Sequence, residues 1–255
     1  MMYSPPKLRV RDLQKSFGQQ KVLNGLSFDL HMGESMVIIG GSGSGKSVLL
    51  RCILGLFKPD AGDIFIDDVN VIKGSAGAWQ HQLESFGMLF QGSALFDSMR
   101  VWENIAFALI QGHGMPRAQA KEIALEKLAS VNLAPEVANL YPAELSGGMQ
   151  KRVALARAIA SEPQVIFFDE PTTGLDPIVS SIINDLIVAS VKKLGAATLT
   201  ITHDINSLRH IADRVGLLFE GKLIWTGSVT EMETTDNPYV RQFIHGSAHG
   251  PFTDP

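Results

Sequence analysis

Gly40-Gly41-Ser42-Gly43-Ser44-Gly45-Lys46-Ser47 reads G-x-x-x-x-G-K-S, the pattern of a phosphate-binding loop. Just before it, Met36, Val37, Ile38 and Ile39 form a short apolar run with the character of a buried strand. Just after it, Val48, Leu49, Leu50, Ile53 and Leu54 recur at helical spacing. The pattern therefore stands between a strand and a helix start, where its mechanism needs it. The glycines let the backbone turn tightly and come close to a phosphate. Their N–H groups and the positive end of the helix make a nest for an anion. Lys46 adds a point charge for the β- and γ-phosphates, and the Ser47 hydroxyl is a ligand for Mg²⁺. A glycine-rich corner without a ligand is the bland alternative. The Lys-Ser ending and the apolar flanks weigh against it.

The chain around this loop has 255 residues, 45% hydrophobic and 19% charged, enough for one large core and a subdomain. Its formal net charge of -4 lacks the basic excess of a nucleic-acid binder, so no nucleic acid is expected as main partner. Cys52, the single cysteine, lies among Leu50, Ile53 and Leu54 and is expected in the core. The first ten residues carry Pro5 and Pro6 and no apolar export segment. No run approaches the roughly 18 apolar residues of a membrane helix. The expectation is a soluble cytoplasmic protein that meets a membrane only through a partner.

Upstream of the loop, Leu8, Val10 and Leu13 open a first strand that ends near Phe17-Gly18. Val22 to Leu30 carry a second, closed by a turn at Gly33. Phe17 either caps the core or stacks on a nucleobase, and the residues alone favour neither. Residues 62–71 read as a hairpin turning at Asp67-Asp68, 79–83 as a short helix and 87–90 as a buried strand. From 91 to 161 the character is helical, with amphipathic segments at 101–110 and 118–130 parted by Gly112-His113-Gly114-Met115-Pro116. Ser146-Gly147-Gly148 then opens an alanine-rich helix. Ser146 is a good N-cap, and two bare glycine N–H groups at a helix start offer a second phosphate site. Residues 178–194 read as a helix, 214–225 as a last hairpin and 230–244 as a C-terminal helical region. Residues 246–255 are expected to be mobile unless a partner orders them.

Val165-Ile166-Phe167-Phe168 is wholly apolar and reads as a central parallel strand, followed directly by Asp169 and Glu170. Two acids in that place are costly without cationic partners, which a metal–nucleotide site supplies. Asp169 is expected to hold Mg²⁺ through water, and Glu170 to orient and deprotonate the water that attacks the γ-phosphate. His203 follows the strand 197–202. In an open α/β sheet that edge is the ligand side, so contact with the γ-phosphate is expected.

With these pieces in order, the chain resembles the ATP-binding-cassette ATPases over nearly its whole length. The resemblance rests on Gly40-Gly41-Ser42-Gly43-Ser44-Gly45-Lys46-Ser47 as Walker A, Gln91 as the Q-loop glutamine and Leu145-Ser146-Gly147-Gly148-Met149-Gln150 as the signature. Walker B at 165–170, the D-loop Gly174-Leu175-Asp176 and the switch His203 complete it. It implies a P-loop α/β core of RecA type with an antiparallel β subdomain, formed by 1–90 and 162–228. A helical subdomain at 91–161 carries the signature, and 229–255 extend the C-terminus, all within one cassette domain. It implies ATP and Mg²⁺ as cofactors and places Phe17 on adenine. It extends nucleotide contact to Val48, Ser146, Gly147, Gly148 and Asp176, and adds Gln91 to the metal ligands and the catalytic set of Lys46, Glu170 and His203. Two copies are implied to pack head to tail as a homodimer, each signature facing the other's Walker A site.

Phe90-Gln91-Gly92-Ser93-Ala94-Leu95-Phe96-Asp97-Ser98 and Val101-Trp102-Glu103-Asn104-Ile105-Ala106-Phe107 look like the ATPase subunit of Mla-type phospholipid transporters. Tyr239-Val240-Arg241-Gln242-Phe243-Ile244 is similar to that group too. This likeness implies an integral membrane permease and an MCE-domain protein as partners. It also implies a place on the cytoplasmic face of the inner membrane and a role in outer-membrane lipid asymmetry. The competing functions are a cassette for a hydrophilic solute or drug, and a non-transport cassette acting as an ATP-gated clamp. Gly92-Ser93 and Asp68 depart from the usual pattern at positions outside the chemistry.

Overall fold

The alternation of apolar and polar residues near the N-terminus becomes a half-buried antiparallel sheet. Leu8, Val10 and Leu13 are fully buried, while Asp12 and Gln14 between and beyond them face outward. The structure, a computed structural model, describes residues 5–74, 79, 82 and 84–253. The chain forms two compact units: Met1–Trp79 with Leu199–Pro255, and Gln80–Thr198.

In the first unit, β1 (Leu8–Phe17) pairs antiparallel with β2 (Gln20–Leu30) and with β4 (Ala61–Ile66), which pairs with β5 (Val69–Asn70). The order is β2-β1-β4-β5, and Leu8 lies opposite both Leu30 and Ile66. Asp67 and Asp68 both adopt left-handed φ, of 49° and 60°, as a two-residue hairpin turn requires. A second sheet has β3 (Ser35–Ile39) parallel to β9 (Arg214–Phe219), which pairs antiparallel with β10 (Lys222–Ser228). The far end of β8 (Ala197–Ile201) lies beside β3, Thr202 N donating to Ile38 O at 3.4 Å. The helix α1 (Lys46–Ile53) buries Leu49, Leu50, Cys52 and Ile53, so the cysteine is a core residue as expected. Gly55, at φ 72°, touches the Trp79 indole so closely that a Cβ would lie 2.6 Å from its ring nitrogen.

In the second unit, β6 (Phe86–Leu89) runs parallel to β7 (Val165–Asp169), with Gly87 opposite Ile166. Val165, Ile166, Phe167 and Phe168 are fully buried, the mark of a strand covered on both faces. Around it lie α2 (Val101–Gln111), α3 (Arg117–Ser130), α4 (Gly147–Ala158) and α5 (Pro177–Leu194). A Cβ on Gly87 would lie 2.2 Å from the Ala158 carbonyl oxygen, so the end of α4 rests on β6 where only glycine fits.

Two expectations change. The C-terminal helical region is two short helices, α7 (Val229–Thr234) and α8 (Pro238–His245), after α6 (Ile205–Ile211). Pro238 cannot continue a helix, and the Asn237 side chain accepts from Tyr239 N and Val240 N to start a new one. Residues 247–253 fold back instead of trailing away. The Gln242 amide donates to Ser247 O and Thr253 Oγ1, both at 3.1 Å, and accepts from Phe252 N at 2.8 Å. Phe252 then packs edge-on against Phe219 at 5.0 Å and Tyr239 at 5.5 Å. The expected helix at 79–83 lies largely outside the described residues; Trp79 and Gln82 are helical.

Candidate active site

The phosphate-binding loop leaves β3 and enters α1 through Gly45, which is left-handed at φ 106° and gives α1 no side-chain cap. The first N–H groups of that helix are therefore left for a ligand. Gly43 is also left-handed, at φ 76°. A Cβ on Gly40 would lie 2.3 Å from Leu218 O, and one on Gly45 2.7 Å from Val22 O, so strands on either side require glycine there. The Lys46 ammonium folds back over the loop and donates to Gly40 O at 2.8 Å and Gly41 O at 2.9 Å. Ser44 Oγ is buried without a hydrogen-bond partner among the described residues, an orphan that an anion's oxygens can satisfy. Residues 43–48, Ser47 and Val48 among them, line a hollow of about 150 Å³. A larger hollow of about 860 Å³ touches the loop at residues 41–44 and is walled by Phe219, Phe243 and Phe252. It includes neither Lys46 nor Ser47, so the phosphate chemistry belongs to the smaller one.

Also in the first unit, Phe17 is 46% exposed at the end of β1, an unusual exposure for a ring that caps a core. Its edge meets the Phe57 ring at 5.4 Å, and Lys15 Nζ lies 5.4 Å from its centroid. His203 is exposed just beyond β8, where Asp204 turns the chain by accepting from Asn206 N at 2.9 Å as the cap of α6.

In the second unit, Asp169 closes β7 and Glu170 follows it. Glu170 is 9% exposed and holds φ at 50°, an uncommon place for a side chain of its size and one where sites store strain. Its Oε2 accepts from Thr173 Oγ1 at 2.9 Å. The signature serine caps α4, Ser146 Oγ accepting from Met149 N at 3.3 Å. A Cβ on Gly147 would make only an ordinary contact with Leu175 at 3.9 Å, whereas one on Gly148 would meet Val179 at 2.8 Å. Packing of α4 on α5 thus requires Gly148 independently of any phosphate. Asp176 caps α5, accepting from Ile178 N and Val179 N at 3.0 Å. Gln91 is exposed just after β6.

Three residues to which the sequence reading gave no task of their own brace the backbone after β6 and β7. The Lys151 ammonium donates to Gln91 O and to Glu170 O. Arg157 donates to Ser93 O and Ala94 O at 2.7 Å. Asn104, fully buried, accepts from Phe96 N at 2.7 Å and donates to Phe96 O at 3.1 Å. Burial of Lys151 is hidden in the sequence because Gln150-Lys151-Arg152 reads as a solvated polar run.

The donors suit a nucleotide and a hard cation. Among the described residues no three His, Cys, Asp or Glu side chains gather into a metal site. Mg²⁺ takes one or two protein oxygens and completes its shell with phosphate and water. Also among the described residues, no helix is long and apolar enough to cross a membrane.

A family model described as ABC transporter matches residues 23–173. The chain is 41% identical over 96% of its length to 75% of Protein TRIGALACTOSYLDIACYLGLYCEROL 3, chloroplastic, of Arabidopsis thaliana. It is 38% identical over 96% of its length to 70% of the probable ribonucleotide transport ATP-binding protein mkl of Mycobacterium leprae. It is 37% identical over 95% of its length to 90% of the intermembrane phospholipid transport system ATP-binding protein MlaF of Escherichia coli. Among solved structures it matches the dimeric post-hydrolysis state of the ATP-binding cassette MJ0796 bound to ADP and Pi. The TM-score is 0.79 at 30% identity, over 87% of this chain and 98% of that one.

Proposed function

The chain belongs to the ABC transporter family, and from that premise we propose that it is the ATP-hydrolysing subunit of a phospholipid transporter. The observation that carries the nucleotide reading is the uncapped, glycine-turned start of α1 with Lys46 folded over its own loop. The Lys46 ammonium, which donates to two loop carbonyls, can exchange them for phosphate oxygens, a charge-assisted contact roughly twice as strong as a neutral one. The N–H groups of residues 43–48 take the rest of the phosphate chain, and Phe17 offers its exposed face to adenine.

Mg²⁺, when bound, offsets phosphate charge, and Ser47, Asp169 and Gln91 would supply its protein oxygens. Glu170 takes a proton from the water whose oxygen attacks the γ-phosphorus, while the bond from that phosphorus to the β–γ bridging oxygen breaks and ADP leaves. The Thr173 hydroxyl fixes one carboxylate oxygen of Glu170 and so helps set the direction of that carboxylate. His203 contacts the γ-phosphate.

Two copies act together, the start of α4 at Ser146, Gly147 and Gly148 and the Asp176 turn of each serving the other's nucleotide. The name of the MlaF relative supports phospholipid as cargo. A permease and an MCE-domain protein then complete the complex, and the chain sits on the cytoplasmic face of the inner membrane. The name of the mkl relative supports a second reading, a cassette for a nucleotide-like solute. Affinity capture of the tagged chain from detergent extract decides between them. Co-purification of a permease, an MCE protein and bound phospholipid supports the first; a permease with no lipid and nucleotide-stimulated turnover supports the second.

A further inference from the structure

Lys151 is a lysine in a place where lysines seldom lie. Only 4% of it is exposed, on a helix whose other buried positions are Val153, Ala154, Leu155, Ala156 and Ala158. Burying an ammonium is costly unless it is paired and hydrogen-bonded. Burial here pushes the Lys151 pKa down, against the opposing pull of the Asp169 and Glu170 carboxylates. Packing alone would be served as well by leucine or methionine.

What the ammonium does is join three stretches of chain. It sits in the second turn of α4, the helix that begins at the signature. It donates to the backbone carbonyl of Gln91, at the start of the loop after β6. It also donates to the backbone carbonyl of Glu170, at 3.4 Å, in the left-handed turn after β7. Farther along the same helix, Arg157 donates to Ser93 O and Ala94 O, two residues held at φ 61° and 48°. Arg157 therefore fastens the loop to α4, while Lys151 reaches both the loop and the Glu170 turn.

We propose that Lys151 is a positioning residue that ties the backbone of Gln91 and of Glu170 to the signature helix, so that the three are held in one arrangement. The proposal rests on Glu170 being the general base. A base displaced by about 1 Å loses most of its effect, so the cost falls on turnover and not on nucleotide binding.

The test compares Lys151→Met, Lys151→Arg and Glu170→Gln in the full chain. Met keeps the stem and removes charge and donors. The expected result is a fall in kcat of about tenfold or more with KM for ATP within about twofold. Amide exchange at residues 91–94 should rise about tenfold while residues 165–169 keep their protection. Lys151→Arg, which keeps the charge and the donors, should restore kcat to within about threefold. If Lys151→Met does not fold, Lys151→Gln replaces it with the same expected split. The proposal is overturned by a kcat within about twofold of the parent, or by equal loss of protection at 91–94 and 165–169. An active Glu170→Gln would instead reject the base assignment, whatever Lys151 does.

Discussion

At the scale of single residues, the proposed function gives the loop and the acids after β7 separate tasks, which substitutions should separate. Lys46→Ala removes the only side-chain charge of the loop, and binding of a fluorescent ATP analogue should weaken about a hundredfold or more, with turnover lost. Circular dichroism should stay that of the parent, because the bonds from Lys46 to Gly40 and Gly41 brace a short loop and no strand or helix. Glu170→Gln should bind the analogue normally and lower kcat by roughly 10² to 10⁴, the span of general-base effects. Both candidate sites stand out in the sequence because charge beside a glycine loop or a buried strand has few inexpensive explanations. Lys151 and Arg157 do not. Their partners are backbone carbonyls of residues 19 to 64 positions away, and a carbonyl leaves no trace in the identity of its residue.

Elements form where local chemistry dictates and end where it runs out. The Asp67-Asp68 turn, the two helices around residues 112–116 and the buried strand at 165–168 follow from alternation, helical spacing and breakers. The split at Pro238 needed its Asn237 cap to be weighed against a run of helix-compatible residues, and the return of the tail depends on Gln242, whose partners lie up to 11 positions on. In α2, the Asn104 side chain donates to Phe96 O and Met99 O at 3.1 Å and accepts from Phe96 N. Asn104→Ala leaves those buried groups short of partners and should destabilise the chain by about 2 to 3 kcal/mol in urea unfolding. Asp176→Ala, which uncaps α5, should cost about 1 kcal/mol by the same measurement.

For the whole molecule, the proposal is an assembly. Glu170→Gln with ATP and Mg²⁺ should run as a dimer in size-exclusion chromatography with light scattering; a persistent monomer would count against nucleotide-driven pairing of the isolated chain. Phe96 is 40% exposed, its ring tilted against Phe107 at 4.6 Å, and stands with Leu95 on the loop that α2 and α4 hold. Changing both to Glu should leave nucleotide binding intact and abolish capture of the permease. Cys52 has a use that follows from its burial. It is the only sulfhydryl in the chain, it is 0% exposed on α1, and burial holds its pKa at about 11 against an ordinary 9.0. The folded form keeps its proton where the unfolded form has lost it, so stability should decline as pH climbs from about 9 to 11. Near neutrality an alkylating reagent can reach this sulfur only while α1 is open. The rate of modification is therefore a clock for transient unfastening of the helix behind the phosphate loop, and nucleotide should slow it.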